Sequence, residues 1–557
     1  MSESAPIKKK ISQRTIIISA VAVVLILVIM FAYVAPELMK PPTPPAVKPK
    51  EKVLVVGTSD YLWGIDPYDM RGYIAHMVSS MIYDTPTRIE MTKEGWEVKP
   101  NLALKWDVAD GKGVVWDFEL RKDVLFHDGT PFNASAVKFA YERTIGGKKG
   151  EYNLLGDYVK SVEVLDTYKV RFTLYEQFSG FPSVTVNSLA SVVSPTAVKK
   201  WGEQYSTKSL VGTGPFKFES WIPGDQIILV KNDKYWNKDR IPKIDRFILK
   251  FFKDPSTLKL ALEKKEIDVV HRNLLTSDIP ALEKNTALNV YRGPQTFVRM
   301  LCVNPRPTAP AGKYLSNMLV RQAIAYAIDY DRIIKFRDGE RAYGLYHKGQ
   351  CVPEVAVDAQ KDFKYDPVKA KQLLTQAGYP NGIPDKLEMI CCPDAYGAEE
   401  VEMATMIKSN LEAIGIPVNI RIVDAVLRIT LINTGNSTLS LLSCAAIHPD
   451  PDDNAGVWYY SKGVAAARRF GLNRTDVDQL VLQGKAELDN KKKAEIYQRL
   501  QMICDGPEMI RGTICIYWPW NYVVAWKYVK GDMTPTIMQR YSLDWTQVDM
   551  DPERKIS

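Results

Sequence analysis

The chain has few of the residues that metal and nucleophile chemistry needs. It contains only five histidines, scattered singly, and seven cysteines with no C-x-x-C pair, so the ligand spacing of zinc sites is absent. No G-x-S-x-G, H-E-x-x-H, G-x-x-x-x-G-K-S/T or G-x-G-x-x-G motif occurs, although Gly212-Thr213-Gly214 has the first part of the last one. The sequence therefore predicts neither an enzyme nor a bound metal or cofactor.

Strong net charge is also missing outside the N-terminus. Residues 1–52 hold eight basic and three acidic side chains of a chain whose total charge is +8, so the rest carries about +3. A body this close to neutral has no electrostatic footprint for nucleic acid. The 46% hydrophobic and 25% charged content is ordinary for a globular protein, and 557 residues suffice for more than one domain. We expect a multidomain protein without a nucleic-acid partner.

Long apolar runs are scarce, and the clearest one covers residues 15–35, which contain no charge. As a helix this run would span about 31 Å, close to the ~30 Å of a hydrocarbon core. Four basic residues precede it, which predicts that the N-terminus lies inside and the rest of the chain outside. The run exceeds the usual signal-peptide core and lacks a good cleavage pattern. We therefore favour a retained anchor after a cytoplasmic basic segment, residues 1–14, over a cleaved signal peptide.

The segment that follows, residues 36–52, is rich in proline, with five prolines among residues 40–52. Such a composition favours an extended spacer of about 3 Å per residue. We expect it to hold a folded body away from the membrane surface.

All seven cysteines lie in the second half of the chain, from Cys302 onward. An odd count in an oxidising compartment leaves at least one thiol unpaired or intermolecular. We expect one to three structural disulfides, whose connectivity the sequence leaves open.

The most informative stretch covers residues 210–236, LVGTGPFKFESWIPGDQIILVKNDKYW. Residues alternating from Phe216 predict a strand, and residues 226–230 predict the returning strand. Pro223-Gly224 between them is typical of a type II turn, because that turn needs φ near −65° and then a positive φ. As a string, the stretch resembles the V-G-T-G-P-F…G…N…Y-W segment of the family 5 extracellular solute-binding proteins of ABC importers, the dipeptide, oligopeptide and nickel-binding group.

Further segments resemble the same family in the same order. A strand at residues 53–56 leads through glycine to Ile65-Asp66-Pro67, and His127-Asp128 forms a predicted turn before a helix capped by Asn133 or Ser135. Residues 314–334 predict one helix with Ser316 or Asn317 as its cap, and Asp366 caps another that ends at Gly378. The resembling segments are residues 53–67, 115–143, 262–270, 314–334, 366–380 and 407–422.

The loop nearest to ligand chemistry reads HPDPDDNAGVWYYS, residues 448–461. In peptide-binding members an acidic residue just before the D-P-D motif pairs with the α-amino group of the peptide. Aligning Asp450-Pro451-Asp452 on that motif places Ile447 where the acid usually stands. This departure leaves oligosaccharide open as a rival to peptide, since sugar faces stack on aromatic rings. The alternating acids fit a calcium loop badly, because the sixth-position glycine is missing.

The resemblance implies an α/β, two-lobed periplasmic-binding-protein-like fold with an extra domain inserted in lobe I, after one N-terminal transmembrane helix. The implied division places lobe I at residues 53–81, 209–295 and 521–557. The inserted domain would be residues 82–208 and lobe II residues 296–520, and closure of the lobes about a hinge would trap the ligand.

The implied function is the extracytoplasmic substrate-binding component of an ABC importer, a monomer tethered to the membrane. Its partners would be an oligopeptide or similar oligomeric ligand and the permease subunits with their cytoplasmic ATPases. The alternatives are an oligosaccharide-binding member of the family and, in another class, a membrane-tethered sensor or surface hydrolase. The candidate ligand-binding residues are Tyr61, Trp63, Asp66, Asn304, Asp450, Asp452 and Trp458.

Overall fold

The computed structural model separates an N-terminal unit, residues 1–50, from a body of residues 51–557. In the N-terminal unit, helix α1 (Gln13–Leu38) covers the apolar run. Among the residues described here, no helix combines the length and the apolar character that crossing a bilayer requires. The structure describes residues 13–38, 50–92, 95–147, 154–294, 297–348, 353–397, 399–446, 448–535 and 543–554.

The body mixes strands and helices along its whole length. The strands are β1 (Val53–Thr58), β2 (Thr87–Thr92), β3 (Gly95–Pro100), β4 (Ala103–Val108), β5 (Val115–Leu120), β6 (Val159–Asp166), β7 (Lys169–Leu174), β8 (Phe216–Ile222), β9 (Gln226–Lys231), β10 (Arg246–Phe251), β11 (Val269–His271), β12 (Leu288–Pro294), β13 (Phe297–Val303), β14 (Gly339–Arg341), β15 (Leu387–Cys391), β16 (Val418–Ile422), β17 (Leu439–Ala445), β18 (Thr513–Trp526), β19 (Val529–Lys530) and β20 (Asp549–Met550).

Helices cover the sheets and form most of the connections. The α-helices are α2 (Tyr73–Ile82), α3 (Ala134–Gly147), α4 (Leu154–Tyr158), α5 (Phe181–Val184), α6 (Pro195–Trp201), α7 (Tyr205–Lys208), α8 (Pro255–Glu263), α9 (Ile279–Glu283), α10 (Gly312–Leu315), α11 (Met318–Ala327), α12 (Tyr330–Arg337), α13 (Pro367–Gln376), α14 (Pro393–Tyr396), α15 (Glu399–Glu412), α16 (Ala425–Asn433), α17 (Asp452–Trp458), α18 (Thr475–Ala486) and α19 (Asn490–Cys504). Short 3-10 helices occupy Ser188–Ala190, Gly202–Gln204, Lys238–Arg240, Thr276–Asp278 and Pro353–Val355, and Val464–Phe470 is a π-helix.

One long strand joins two halves of the main sheet. The order is β16-β15-β17-β13-β18-β11-β1-β10-β9-β8, with β12 and β14 also paired to β18. The first part of β18 pairs antiparallel with β13, and its last part pairs with β11 and β12. Strand β1 runs parallel to β10 and β11, whereas β15 runs parallel to β16 and β17. Parallel strands of this kind are buried on both faces, and five of the six residues of β1 are buried.

The hydrophobic core divides in the same place as the sheet. One cluster takes its buried residues from between Leu54 and Leu288 and from between Tyr522 and Met550. Two further clusters take theirs from between Val298 and Trp518. The residues between α2 and β8 add the β2–β3 hairpin and a four-stranded sheet of order β4-β5-β7-β6, which packs into the first cluster.

The predicted hairpin and several helix boundaries are confirmed. Strands β8 and β9 pair antiparallel, and Gly224 between them has φ +76°. The side chain of Asn133 accepts a hydrogen bond from the backbone N–H of Ala136 at 3.0 Å, so Asn133 rather than Ser135 caps α3. Asp366 caps α13 by accepting from the N–H of Lys369 at 2.9 Å, and Gly378 follows its end with φ +93°.

The prediction of one helix over residues 314–334 is wrong. The structure has three helices, α10, α11 and α12, because the chain becomes extended at Asn317 and again at Ile328. Asp329 then accepts a hydrogen bond from the N–H of Arg332 at 3.1 Å and starts a new helix as its cap. Asn317 caps α11 in the same way at 2.9 Å. A capping side chain within an apolar helical pattern therefore marked a boundary that the periodicity concealed.

The expectation of one to three disulfides is wrong for the described cysteines. Cys302, Cys391, Cys392, Cys444, Cys504 and Cys515 are buried free thiols, and Cys351 lies outside the described residues. Three of them lie on neighbouring strands but out of register. On β13, Cys302 faces Ser440 and Thr513. A disulfide needs two Cα atoms within about 7 Å and correctly oriented Cβ atoms, and this register does not offer a facing pair.

Candidate ligand-binding site

A cavity of about 660 Å³ lies where the two halves of the main sheet meet. Its walls come from segments that follow the carboxyl ends of parallel strands: residues 59–61 after β1, residues 272–276 after β11, and residues 393–397 after β15. The start of β13 and the middle of β18 complete the lining. Ligands of open α/β sheets bind outside the carboxyl ends of the strands, so this cavity is the candidate ligand site.

One wall presents an arginine held by an acidic loop. Asn273 donates to Asp60 Oδ1 at 2.6 Å, and Arg272 Nη1 lies 3.5 Å from Asp60 Oδ2. The Arg272 guanidinium also lies 4.0 Å from the centre of the Tyr73 ring. Arg272 and Asn273 both have positive φ, 72° and 60°. Such strain costs about 1–3 kcal/mol per residue and clusters at functional sites.

The start of β13 contributes a buried arginine to the lining. Arg299, 2% exposed, donates to both carboxylate oxygens of Glu400 at 2.5 Å, and its guanidinium lies 3.7 Å from the centre of the Tyr396 ring. Burial opposes the charge on Arg299, but the Glu400 carboxylate outweighs it and holds the arginine pKa above its ordinary value. Beside this pair, Arg337 forms an ion pair with Glu399 and donates from Nε to the Tyr517 hydroxyl at 2.9 Å.

Several hydrogen-bond donors on these walls have no partner in the described structure. They are Arg272 Nε, Arg299 Nε, Arg299 Nη1 and Asn521 Nδ2. Buried polar groups are normally hydrogen-bonded, and each exception needs a reason. Donors from arginine favour an anionic acceptor because charge-assisted hydrogen bonds are the stronger ones. A carboxylate or a comparable anionic group would satisfy these donors.

Two of the residues predicted from the sequence lie at this cavity's edge. Tyr61 lines it, and Trp63 lies beside Tyr61 with 4.4 Å between the ring centres. Both side chains are largely exposed, 59% and 67%. Their contact with ligand stays a prediction that the geometry permits.

Asp66 and Asn304 instead form internal bonds. Asp66 is fully buried and accepts from Arg143 Nη1 and Nη2 at 2.7 and 2.6 Å, which ties the loop after β1 to α3. Asn304 donates to the backbone carbonyls of Gly435 and Ser437 at 3.0 and 2.8 Å. Neither residue is among the described residues that line the 660 Å³ cavity, and their ligand contacts stay predictions.

Asp450, Asp452 and Trp458 are not among the described residues that line the 660 Å³ cavity. Asp450 forms a buried ion pair with Lys493 at 2.7 Å and lines a separate cavity of about 830 Å³. Asp452 begins α17 and is buried, and Trp458 packs against Phe470 with 6.0 Å between ring centres. Ile447, the position of the missing acid, lies outside the described residues.

Sequence reasoning missed the arginines and asparagine that give the cavity its donors. Arg272 directly follows β11, and Asn521 lies in β18. The position of Arg272 after the carboxyl end of a parallel strand was a usable signal. Arg299 and Asn521 carried no local signal, because each lies within a strand that otherwise reads as core.

The contacts of His448 were also not predicted from the sequence. It is fully buried, and its ring nitrogens lie 3.4 Å from the Tyr158 hydroxyl and 3.3 Å from Ser183 Oγ. Its Nε2 also lies 3.6 Å from a carboxylate oxygen of Asp453. His448 thus joins the D-P-D loop to the segment between α2 and β8.

Asp452 is expected to make the stability of the body depend on pH. Burial raises its pKa to about 7, whereas an exposed aspartate has a pKa near about 3.9. Between these values the folded state binds more protons than the unfolded state, so the free energy of unfolding falls as pH rises from about 4 to about 7. Asp452→Asn removes the titrating group and should flatten that part of the profile.

Urea unfolding of the wild type and this variant between pH 4 and pH 8 measures the effect. Asp366→Asn is the matched control, because it makes the same substitution at the cap of α13, outside the cluster of Asp450, Asp452 and Asp453, and it should keep the wild-type slope. An unchanged slope in Asp452→Asn would contradict the role assigned to this carboxyl.

The sequence matches a known protein family and its curated members. The sequence model described as "Bacterial extracellular solute-binding proteins, family 5 Middle" matches residues 97–466. The glutathione-binding protein GsiB of Shigella flexneri serotype 5b is 30% identical over 338 residues, which are 60% of this chain and 62% of that protein. The chain thus matches somewhat less than two thirds of the length of this relative.

Solved structures match over nearly the whole body. The ABC transporter-associated periplasmic binding protein DppA from Helicobacter pylori, in complex with peptide STSA, is 25% identical with a TM-score of 0.72, covering 90% of this chain and 98% of that one. HbpA2 from Haemophilus parasuis is 22% identical with a TM-score of 0.77, covering 90% and 100%. This coverage shows that the chain shares the two-lobed α/β fold of these proteins. The names of GsiB and DppA describe binding and not catalysis.

Proposed function

We propose that this chain, which belongs to the bacterial extracellular solute-binding proteins of family 5, is the substrate-binding component of an ABC importer. It captures oligopeptides, or similar oligomeric solutes with a free carboxylate, in the cavity between its two lobes. It then delivers them to a membrane permease that is driven by cytoplasmic ATPases. The protein performs no chemistry on its ligand.

The unpaired donors in the 660 Å³ cavity are the observation that supports this proposal most. Arg272 in the first half of the body and Arg299 in the second half both line this cavity, so a carboxylate bound by both arginines would join the two halves. A ligand that contacts both lobes stabilises the closed arrangement over the open one by its differential affinity. The glutathione-binding relative and the peptide-bound structural neighbour support a peptide carboxylate as the group recognised.

We assign the lobes by the boundaries that the family resemblance implies. Lobe I comprises residues 53–81, 209–295 and 521–557, its inserted domain residues 82–208, and lobe II residues 296–520. The division of the hydrophobic core near residues 295 and 520 supports these boundaries. Strand β18 crosses from one lobe to the other and would carry part of the hinge.

We also assign the protein to the outer face of the cell membrane, as a monomer tethered by residues 15–35. The uncharged run and the basic residues before it support this assignment. Membrane fractionation of cells that express the full chain or a chain without residues 1–40 tests it. The full chain should sediment with membranes and the shortened chain should not. Sedimentation of both would contradict the anchor.

Oligosaccharide remains the second candidate ligand because aromatic side chains line the cavity. Tyr61, Tyr396, Tyr517, Trp520 and Tyr522 belong to its walls, and sugar faces stack on such rings. A thermal-shift screen of the full chain against tetrapeptides and oligosaccharides separates the two candidates. Ligand at a hundred times its Kd should stabilise the protein by about 2.7 kcal/mol. Stabilisation by peptides supports the proposal. Stabilisation by sugars alone, if it is lost in Arg272→Met, replaces peptide with oligosaccharide as the ligand of this cavity.

A further inference from the structure

A second cavity, of about 560 Å³, lies away from the candidate ligand site. It is enclosed by the end of α2, the β2–β3 hairpin, the segment around Ser191 and the C-terminal residues 543–547. The two cavities share no lining residue among those described. Small-molecule sites have volumes of about 300–1,000 Å³, so this cavity has the size of a binding site.

One wall of this second cavity is fixed by a saturated carboxylate. Asp84 accepts hydrogen bonds from Tyr235 Oη at 2.9 Å, from Trp236 Nε1 at 2.9 Å and from Thr213 Oγ1 at 2.8 Å. These bonds join the end of α2 to the segments before β8 and after β9. The wall is therefore held by internal bonds, and Asp84 itself is already satisfied.

Four other lining residues each carry a buried polar atom without a hydrogen-bond partner. The atoms are Trp96 Nε1, Asn101 Oδ1, Ser191 Oγ and Trp545 Nε1. Their residues are only 9%, 6%, 1% and 2% exposed. Unsatisfied buried groups are rare and destabilising in folded proteins. Four around one cavity indicate that the cavity receives a molecule with hydrogen-bonding groups of both kinds.

The charges around the cavity narrow the chemistry of that molecule. Arg88 lies 3.4 Å from Glu90, and Arg240 lies 3.1 Å from Asp544. Both lining arginines are thus paired, and acidic residues exceed basic ones in the lining. An anion would meet no uncompensated cation here, and an apolar molecule would leave the four polar atoms unsatisfied. Two indole N–H donors, an amide oxygen and a hydroxyl match the groups of a polyhydroxylated neutral molecule.

We propose that this second cavity binds a small neutral polyhydroxylated ligand, of the size of a mono- or disaccharide, independently of the cleft between the lobes. The indole N–H groups of Trp96 and Trp545 donate to ligand hydroxyl oxygens. Asn101 Oδ1 accepts from a ligand hydroxyl, and Ser191 does either. The apolar surface of the surrounding aromatic residues packs against the carbon skeleton of the sugar.

Calorimetric titration of the full chain with glucose, maltose and sucrose tests the proposal. At least one of these sugars should bind saturably. Trp545→Phe, which removes the indole donor and keeps an aromatic ring, should weaken that binding at least tenfold. Trp221→Phe is the matched control, because its indole nitrogen also lacks a partner but Trp221 is outside the described lining of this cavity. It should leave sugar affinity within twofold of the wild type.

Two further arms make each result decisive. Ser191→Ala is the smaller substitution and carries the test if Trp545→Phe fails to fold. Arg272→Met, in the cleft, should leave sugar binding unchanged. If no sugar binds saturably, the cavity holds water only and the proposal is wrong. If Arg272→Met abolishes sugar binding, the sugar occupies the cleft. That result would contradict the proposal of a second site and would favour oligosaccharide as the ligand of the cleft.

Discussion

Arg272→Met is expected to weaken the binding of a tetrapeptide with a free carboxylate by about 100-fold. Removing one partner of a hydrogen-bonded charge pair costs about 2–5 kcal/mol when the other group stays buried, and each 1.4 kcal/mol is tenfold in affinity. The side chain of Arg272 is only 11% exposed, so water would replace its contact poorly. Calorimetric titration of the full-length wild type and of the full-length variant with the tetrapeptide measures the change in affinity.

Arg421→Met is the control for this experiment. Arg421 is a surface arginine, 42% exposed, whose partner Glu388 lies 3.3 Å away on the neighbouring strand. Arg421→Met removes the same charge at a residue outside the described lining of the 660 Å³ cavity, and it should leave peptide affinity unchanged. Equal losses in both variants would show a general effect of net charge and contradict the assigned role of Arg272.

The largest expected loss of stability follows from removing the carboxylate of Asp505. Arg511 is completely buried, and its Nε donates to Asp505 Oδ1 at 2.9 Å, while the Tyr459 hydroxyl donates to Asp505 Oδ2 at 2.6 Å. Asp505→Ala leaves the arginine charge without its partner in the core of the second half of the body. Breaking a buried pair in this way costs about 3–5 kcal/mol.

Urea unfolding followed by tryptophan fluorescence measures this loss. Glu388→Ala provides the comparison, because it breaks the exposed pair with Arg421, which is worth about 0–1 kcal/mol. The Asp505→Ala transition should move to much lower urea than that of Glu388→Ala. Similar midpoints for the two variants would contradict the importance assigned to the buried pair.

The sequence predicted best those elements whose boundaries depend on local chemistry. The β8–β9 hairpin follows from Pro223-Gly224, and α13 follows from Asp366 at its start and Gly378 at its end. The family was also predicted correctly, because its motifs occur in order along the chain, and the absence of catalytic function is supported by relatives named for binding. Each of these features is set by a few neighbouring residues or by their order.

The break at Ile328 could not be predicted from periodicity alone. The apolar spacing continues through it, but Asp329 caps a new helix, and its backbone N–H donates to the side chain of Asn410 at 3.2 Å. Asn410 lies in α15, far along the sequence. The stop therefore depends partly on tertiary contacts that no local pattern reports.

The candidate site depends even more on tertiary contacts that the sequence does not report. Tyr61 was found because it lies in a loop directly after a predicted strand. Arg272, Arg299 and Asn521 come together only because β11, β13 and β18 are neighbours in the folded sheet. Asp66 lies in a motif where the family resemblance implied a ligand contact, but its carboxylate already accepts two hydrogen bonds from Arg143. No local sequence feature distinguishes an aspartate that contacts ligand from one that is bound to an internal arginine.

The most direct test of the proposed function compares a tetrapeptide with its C-terminal amide in calorimetric titrations of the full chain. The two ligands differ only in the carboxylate that Arg272 and Arg299 are proposed to hold. We expect saturable binding of the free acid and at least tenfold weaker binding of the amide. Equal affinities would contradict carboxylate recognition, and the absence of saturable binding by either ligand would contradict peptide capture in the cleft.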